Sequence, residues 1–129
     1  MGQEYLIDTN IIIDFLAKKL PLEFTESLFD NIINGIPIIS IITKIEILGF
    51  NTNQNDYELL RNFIDDCNIL ELSDDIVNET ILIRQQYKTK LPDAIIAASA
   101  QVNKLTLITR NVSDFNKIKT VRTLNPFDN

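Results

Sequence analysis

Four acidic residues are the main candidates for chemistry in this chain, because its 129 residues include no histidine and a single cysteine. The absence of histidine excludes Ser-His-Asp and Cys-His nucleophilic sites, and with them nearly every kind of zinc site. One thiol, Cys67, cannot form a disulfide within the chain or a CxxC redox pair. Chemistry at neutral pH therefore has to use carboxylates, lysines, hydroxyls or a bound metal ion. The four acids are Asp8, Glu46, Asp93 and Asp114.

Two kinds of apolar pattern alternate along the chain and predict the elements that position these acids. Short apolar runs predict strands at 5–7, 36–42, 69–72, 105–109 and 120–124. Helical spacing predicts helices at 11–16 (with Thr9 or Asn10 as N-cap), 24–33, 43–50, 57–66, 74–88 and 93–102. Strands that alternate with helices indicate an α/β fold of three α/β/α layers, with a mostly parallel sheet in the middle. The length fits a single domain over residues 1–129.

The predicted topology brings the four acids towards one edge of the sheet. Ligands of open α/β sheets bind beyond the carboxyl ends of the strands. Asp8 ends the first strand, Glu46 lies in the helix after the second, and Asp114 follows strand 105–109. Asp93 lies in the first turn of a helix that we expect to point at the same edge. Four acids that are far apart in the sequence should therefore meet there.

Each acid also has a purely structural interpretation. The pattern Thr43-x-x-Glu46 is typical of a capping box, and Asp93 would be favoured by the positive start of its helix. Asp114 could cap a short turn, and Asp8 could be an Asx-turn residue. These interpretations do not explain why all four acids are predicted at the ligand-binding edge of the sheet.

Clustered carboxylates indicate a cation, because they repel one another and raise one another's pKa unless a positive charge lies between them. Oxygen ligands without histidine or cysteine select Mg²⁺ or Mn²⁺. Such ions promote the attack of water on a phosphodiester, since they activate the nucleophile and neutralise the charge that develops. The residues thus predict metal-dependent hydrolysis of a phosphodiester.

Each of the four acids lies in a longer motif. The stretches are YLIDTNIIIDFL, SIITKIEIL, LPDAIIAASA and LTLITRNVSDF. In their order and spacing they resemble the four motifs of the PIN-domain ribonucleases, and within that family they are most similar to VapC-type toxins of bacterial toxin–antitoxin pairs. The resemblance covers nearly the whole chain. It implies a PIN-like α/β/α domain that cleaves RNA as an Mg²⁺- or Mn²⁺-dependent endoribonuclease and is the toxin of such a pair.

The resemblance also implies roles for individual residues. Asp8, Glu46 and Asp93 match the acidic core that binds the metal ion. Asn10 and Thr109 match supporting polar residues that orient the first aspartate.

The fourth member of the site has two candidates. Some members of the family carry an acid two residues after the threonine, where this chain has Asn111. Either Asn111 binds as a neutral ligand, or Asp114 supplies the charge, directly or through a water molecule. We favour Asp114 as the fourth catalytic and metal-binding residue.

Other charged residues are expected to lie on the surface. Asp14 is expected on the solvated side of the first helix, and Asp30 on the solvated face of helix 24–33. The basic residues near the motifs could meet substrate phosphates, although scattered surface cations are the commoner explanation. They are Arg84, Lys88, Lys90 and Arg110.

The overall charge bears on the partners of the protein. Twelve Lys and Arg against 18 Asp and Glu give a net charge of −6, which excludes a basic surface over the whole domain. The acidic site should attract a cation, so we expect an antitoxin that places a basic segment among Asp8, Glu46 and Asp93. We also expect a homodimer. No apolar run is long enough for a membrane span, and the lone cysteine suits the cytoplasm.

Other functions fit the sequence less well. A phosphatase of the haloacid-dehalogenase type usually needs DxD after its first strand, whereas Asp8 is followed by Thr9 and Asn10. A DNA nuclease of the flap class would need a longer chain. The remaining alternative is a catalytically inactive PIN-like module that binds RNA or protein, in which the core acids would be depleted.

Overall fold

Five short strands and eight helices form the part of the chain that the computed structural model describes, residues 4–128. The strands are β1 (Tyr5–Ile7), β2 (Ile38–Ser40), β3 (Asn68–Leu70), β4 (Thr106–Ile108) and β5 (Thr123–Leu124). The helices are α1 (Thr9–Leu16), α2 (Leu22–Phe24), α3 (Asp30–Asn34), α4 (Ile41–Leu48), α5 (Gln54–Asp65), α6 (Asp74–Gln86), α7 (Leu91–Val102) and α8 (Val112–Phe115). The domain expected over 1–129 includes residues 1–3 and 129, which lie outside the described residues.

The strands form one parallel sheet in the order β3-β2-β1-β4-β5, with β1 at its centre. Leu6 of β1 pairs with Ile38 of β2 on one side and with Leu107 of β4 on the other. The outer pairs, β2 with β3 and β4 with β5, are parallel as well. Because all the strands run in one direction, their carboxyl ends share one edge. The predicted parallel sheet is confirmed.

Successive residues of β1 point to opposite faces of the sheet and join different cores. Leu6 packs in a cluster with Leu107 and the apolar sides of α6 and α7. Ile7 packs in a second cluster with Ile39 and Ile108, against α1 and α5. The sheet therefore lies between two helical layers, which confirms the three-layer α/β/α class.

Helix α7 is buried along most of its length. Every residue from Ala94 to Ala100 is buried, so helix and sheet contacts surround it. Its alanines leave room for the close approach of α6, which packs along it. The packing fixes the direction of α7 and with it the position of Asp93 in the first turn.

The second strand is shorter than the apolar run 36–42 predicts. β2 ends at Ser40, whose hydroxyl accepts a hydrogen bond from the backbone N–H of Ile42 at 3.1 Å. Ser40 is thus the N-cap of α4, and the last two isoleucines of the run lie in the helix. A run of apolar residues looks alike in a buried strand and in a buried helical turn, so the apolar pattern does not show where β2 ends and α4 begins.

The predicted helix 24–33 is divided into three parts. α2 ends at Phe24, a π-helical turn spans Thr25–Phe29, and α3 continues from Asp30. The buried ring of Phe29 lies 5.1 Å from that of Phe15 and 5.5 Å from that of Phe24. Asp30 is exposed, as expected. Within residues 4–128 no helix is long and apolar enough to cross a membrane.

Candidate active site

Asp8 lies where β1 passes into α1, at the centre of the carboxyl edge of the sheet. Its extended backbone (φ −72°, ψ 155°) makes it the N-cap of α1, so the prediction of Thr9 or Asn10 as N-cap is wrong. One carboxylate oxygen accepts the Thr9 N–H at 2.8 Å. The other accepts the Thr109 hydroxyl at 2.7 Å and the Asn10 amide at 3.3 Å. The structural role of Asp8 therefore uses one oxygen, while the other is oriented by Asn10 and Thr109.

The surroundings of Asp8 disfavour its negative charge. Burial of the side chain raises its pKa above the ordinary value, because the charged form loses hydration. The hydrogen bonds from Thr109 and Thr9 oppose this rise in pKa, and the charges of Asp93 and Glu46 add to it. A cation placed among these carboxylates would relieve both the lost hydration and the repulsion.

Glu46 lies on the exposed side of α4 and is held by a residue of α1. The Thr9 hydroxyl donates to Glu46 Oε1 over 2.6 Å and lies 3.1 Å from the hydroxyl of the buried Thr43. Because one hydroxyl has one proton, Thr43 donates in the second contact. Ser40 rather than Thr43 caps α4, so the capping-box interpretation of Glu46 is wrong. The start of α1 instead holds Glu46 through Thr9, and the charge of Glu46 acts on Asp8.

Asp93 occupies the first turn of α7, which begins at Leu91 with Pro92 as its second residue and has no side-chain cap. Partial burial raises the pKa of Asp93, and the negative charges of Asp114 and Glu46 raise it further. The positive charges of Lys90 and Lys117 lower it. Asp93 thus interacts electrostatically with Asp114 on one side and with Glu46 on the other.

The two candidates for the fourth position differ in what they contact. Asp114 is an exposed residue in the first turn of α8, and its charge acts on Asp93. Asn111 is exposed as well, and its backbone N–H donates to the Thr109 hydroxyl at 3.0 Å. Its side chain makes no capping bond to α8. The contact with Thr109 orders the chain that follows β4.

The prediction that Asp14 lies on the solvated side of the first helix is wrong. Its carboxylate is buried, and Oδ2 lies 3.0 Å from Arg110 Nε. The two side chains form an ion pair between α1 and the segment that follows β4, while the N–H of Arg110 approaches Asn10 Oδ1 at 3.5 Å. Sequence patterns could not show this pairing, because the two residues belong to different elements and no motif relates them.

A comparison with family models decides what kind of domain this is. The model of the PIN domain matches residues 5–120. The chain belongs to the PIN domain family. The match includes all four acids, and the family expected from the motifs is confirmed.

Solved structures share the fold of this PIN domain. A chain of a toxin–antitoxin complex from Klebsiella pneumoniae is 35% identical over 98% of this chain and 100% of its own, with a TM-score of 0.75. A chain of DNA-bound VapBC from Salmonella typhimurium is 22% identical over 97% and 99%, with a TM-score of 0.80. A chain of VapBC-1 from nontypeable Haemophilus influenzae is 24% identical over 98% and 100%, with a TM-score of 0.77. No curated protein is significantly similar to this PIN domain.

The donor atoms of this PIN domain suit a divalent cation, although the side chains do not close around one point. Asp8, Glu46 and Asp93 act on one another electrostatically. Within residues 4–128, however, no three acidic or cysteine side chains are grouped closely enough to enclose a metal ion unaided. Mg²⁺ in proteins commonly uses one or two carboxylates and completes its shell with waters and substrate phosphates. The open arrangement of oxygen ligands therefore fits Mg²⁺ or Mn²⁺.

Sequence reasoning missed three residues that shape the site of this PIN domain. The sequence predicts Thr9 only as an N-cap and Thr43 only as part of a capping box. Lys117 had no motif around it. A hydroxyl directly after the strand-ending aspartate was the available signal for Thr9, whereas Lys117 reaches Asp93 only through the fold.

Proposed function

We propose that this PIN domain is a metal-dependent endoribonuclease and the toxin of a toxin–antitoxin pair. The observation that carries the proposal is the electrostatic interaction of acids at one edge of the sheet. Glu46 and Asp93 act on Asp8, and Asp114 acts on Asp93. Membership of the PIN family and the similarity to a chain of a toxin–antitoxin complex support it. We further propose that the PIN domain takes up residues 1–129, forms a homodimer and acts in the cytoplasm.

In this proposal Asp8, Glu46 and Asp93 bind Mg²⁺ or Mn²⁺ at the carboxyl edge of the sheet. The bound ion would supply an activated water and neutralise the charge that develops on the phosphate. Thr109 and Asn10 hold one oxygen of Asp8 in place by donating to it. These donors also favour the ionised carboxylate, which is the form that binds a cation.

Asp114 is our choice for the fourth residue, in preference to Asn111. The charge of Asp114 already acts on Asp93, and both residues line the same pocket. Asn111 contributes a backbone donor to Thr109. Asp114 therefore adds negative charge where the cation would bind, and Asn111 orders the loop beside it.

An apolar groove offers a partner a second contact on α1 and α4, the helices that also carry Thr9 and Glu46. The groove has a volume of about 290 Å³ and lies between α1, α4 and α5. Its apolar lining includes Ile13, Leu16, Ile47, Phe50 and Leu59. We propose an antitoxin whose apolar segment fills this groove and whose arginine or lysine enters among Asp8, Glu46 and Asp93. A guanidinium would replace the charge of the metal ion and pair with a carboxylate through two hydrogen bonds.

Cleavage of RNA in the presence and absence of metal tests the enzyme proposal. We expect purified protein to cut single-stranded RNA with Mg²⁺ or Mn²⁺, to stop in EDTA and to resume when either ion is restored. The Asp93→Asn variant controls for a contaminating ribonuclease and should be inactive under all conditions. Full activity in EDTA would refute the metal-dependent mechanism, and RNA binding without cleavage would favour the inactive binding module.

Binding of the protein encoded beside this gene tests the partner proposal. We expect its binding to weaken when Mg²⁺ is raised at constant ionic strength, because metal and basic side chain compete. Leu59→Glu should weaken binding, whereas Leu82→Glu on α6, a leucine of similar exposure (55% against 53%), should not. Equal binding to wild type and to the Asp8→Asn, Asp93→Asn double variant would rule out direct occlusion of the site.

A further inference from the structure

A second pocket adjoins the acids on the side of Asp93. It has a volume of about 400 Å³ and is formed where the loop before α7 faces the segment after α8. Cationic side chains account for half of its lining residues, in a chain whose net charge is −6. The lining residues are Lys88, Thr89, Lys90, Asp93, Asp114 and Lys117.

The lysines come from two separate segments that the fold joins. The ammonium of Lys117 donates to the backbone carbonyl of Lys88, which ties the end of α8 to the loop before α7. Lys90 is exposed at the N-cap of α7, where no side chain satisfies the first N–H groups of the helix. The positive end of the helix dipole adds to the charge of the lysines there. The wall also carries the Thr89 hydroxyl, which has no hydrogen-bond partner among residues 4–128.

An RNA strand that binds at the acids of this protein needs a cationic surface beside them. The phosphate at the metal ion would be stabilised by the ion, but the neighbouring phosphates of the strand would approach a surface of like charge. Local cations beside the site would offset that repulsion and orient the strand. Lys90 and Lys117 are the cations that both line the pocket and act on Asp93.

We propose that Lys90 and Lys117 form a phosphate-binding subsite that positions the RNA backbone next to the acidic site. The proposal rests on the proposed ribonuclease function and names a contact of the substrate. The lysines act on substrate position and do not take part in the chemical step. The alternative is that they only neutralise Asp93 and Asp114 within the protein, in which case their removal leaves the number of phosphate contacts, and with it the salt slope of RNA binding, unchanged.

The salt dependence of RNA binding separates these two roles. The probe is a short fluorescein-labelled single-stranded RNA, titrated in Mg²⁺ with every variant also carrying Glu46→Gln so that the RNA stays intact. We compare Lys90→Gln, Lys117→Gln with the control pair Lys104→Gln, Lys119→Gln. The control removes the same charge from the opposite edge, where Lys104 precedes β4 and Lys119 precedes β5. Neither control residue lines the pocket.

We expect the subsite pair to reduce the slope of log K against log salt by about 1.4, since each phosphate contact on a single strand contributes about 0.7. A slope that is lower by about 1.4 corresponds to about 25-fold weaker RNA binding at 0.1 M salt. The control pair should change affinity less than about twofold. Lys90→Gln alone, which keeps the hydrogen bond of Lys117 to Lys88, should lower the slope by about half as much, and Lys90→Arg, Lys117→Arg should restore it.

Cleavage by the same lysine variants with Glu46 intact distinguishes failure of the subsite from failure of the enzyme. If the subsite is real, KM rises about 25-fold and kcat changes little. Slopes and KM values equal to those of the control pair, or no RNA binding by any variant, would overturn the subsite. A lysine-dependent slope in a protein that never cleaves RNA would keep the subsite and refute the ribonuclease.

Discussion

Thr9 Oγ1 lies 2.6 Å from Glu46 Oε1 and thereby joins the first turn of α1 to α4. Glu46 is exposed, so without this bond its carboxylate would sample several rotamers. The hydroxyl of the buried Thr43 in turn fixes the direction of Thr9. Two threonines thus orient an acid that the backbone alone leaves free.

Removal of the Thr9 hydroxyl should weaken metal binding. We expect Thr9→Val to lower Mn²⁺ affinity about 10-fold, because a group that orients a metal ligand commonly contributes 10- to 100-fold. Calorimetric titration with Mn²⁺ measures the change. Thr9→Ser keeps the hydroxyl and should bind Mn²⁺ like the wild type. Equal Mn²⁺ affinities of Thr9→Val and Thr9→Ser would mean that the Thr9 hydroxyl does not orient Glu46 for metal binding.

Neutralising the acids should abolish activity and leave the fold intact. Asp8→Asn and Asp93→Asn should each reduce cleavage at least about 100-fold, since metal catalysis supplies several kcal/mol. Asp93→Asn should be neutral or stabilising in EDTA, because it removes repulsion from Asp114 and Glu46. Asp8→Asn should be close to neutral, because the lost repulsion is offset by the loss of one of the two oxygens that accept hydrogen bonds from Thr9, Asn10 and Thr109. Thermal melts in EDTA check both, and a large drop in Tm would mark the acids as structural.

The metal-free protein should lose stability as the pH rises through the raised pKa values of Asp8 and Asp93. Their carboxyl groups bind protons more tightly in the folded chain than in the unfolded chain, where the ordinary value is 3.8. The folded state therefore holds more protons in that window, and the free energy of unfolding falls with pH. Urea unfolding in EDTA over a pH series measures the fall. Asp93→Asn should flatten it, the exposed control Asp30→Asn should not, and saturating Mg²⁺ should reverse the loss at neutral pH.

The ion pair of Asp14 and Arg110 should stabilise the fold more than a surface pair does. The side chain of Asp14 is 9% exposed, so Arg110→Met leaves a buried carboxylate and should cost about 1–3 kcal/mol. Arg110 is about half exposed, and screening by solvent limits the coupling in a double-mutant cycle with Asp14→Asn to about 1 kcal/mol. The exposed pair Arg61 and Asp65 should give less than about 0.5 kcal/mol. Urea denaturation measures both cycles, and equal couplings would contradict the prediction.

The layered fold could be predicted because its causes are local. Alternating apolar periods show which segments are strands and which are helices, and the parallel order follows from the helices between them. The end of β1 could likewise be placed, because Asp8 is the first polar residue after an apolar run. Boundaries were less certain where isoleucines continue from β2 into α4, since strand and helix bury them equally well.

The contacts within the site depend on the register of distant segments and could not be predicted in the same way. Asp14 pairs with Arg110 because α1 packs beside the loop after β4. Neither the residues around Asp14 nor those around Arg110 indicate this contact. The approach of Lys117 to Lys88 depends on the way α8 turns back to the loop before α7. Patterns along a chain show the face of an element, and the packed fold decides which side chains meet there.

β1 lies at the centre of the sheet, between a strand that is synthesised early and one that is synthesised late. Thr109, which donates to Asp8, is synthesised 101 residues after it. Pairing of β1 with β4 must close a long loop, so it forms only after β4 itself has been synthesised. A nascent chain that stops before residue 105 lacks both strands on one side of β1 and Thr109, one of the donors that hold Asp8. Under the proposed ribonuclease function, this order of synthesis would keep the acidic site incomplete until β4 has been made.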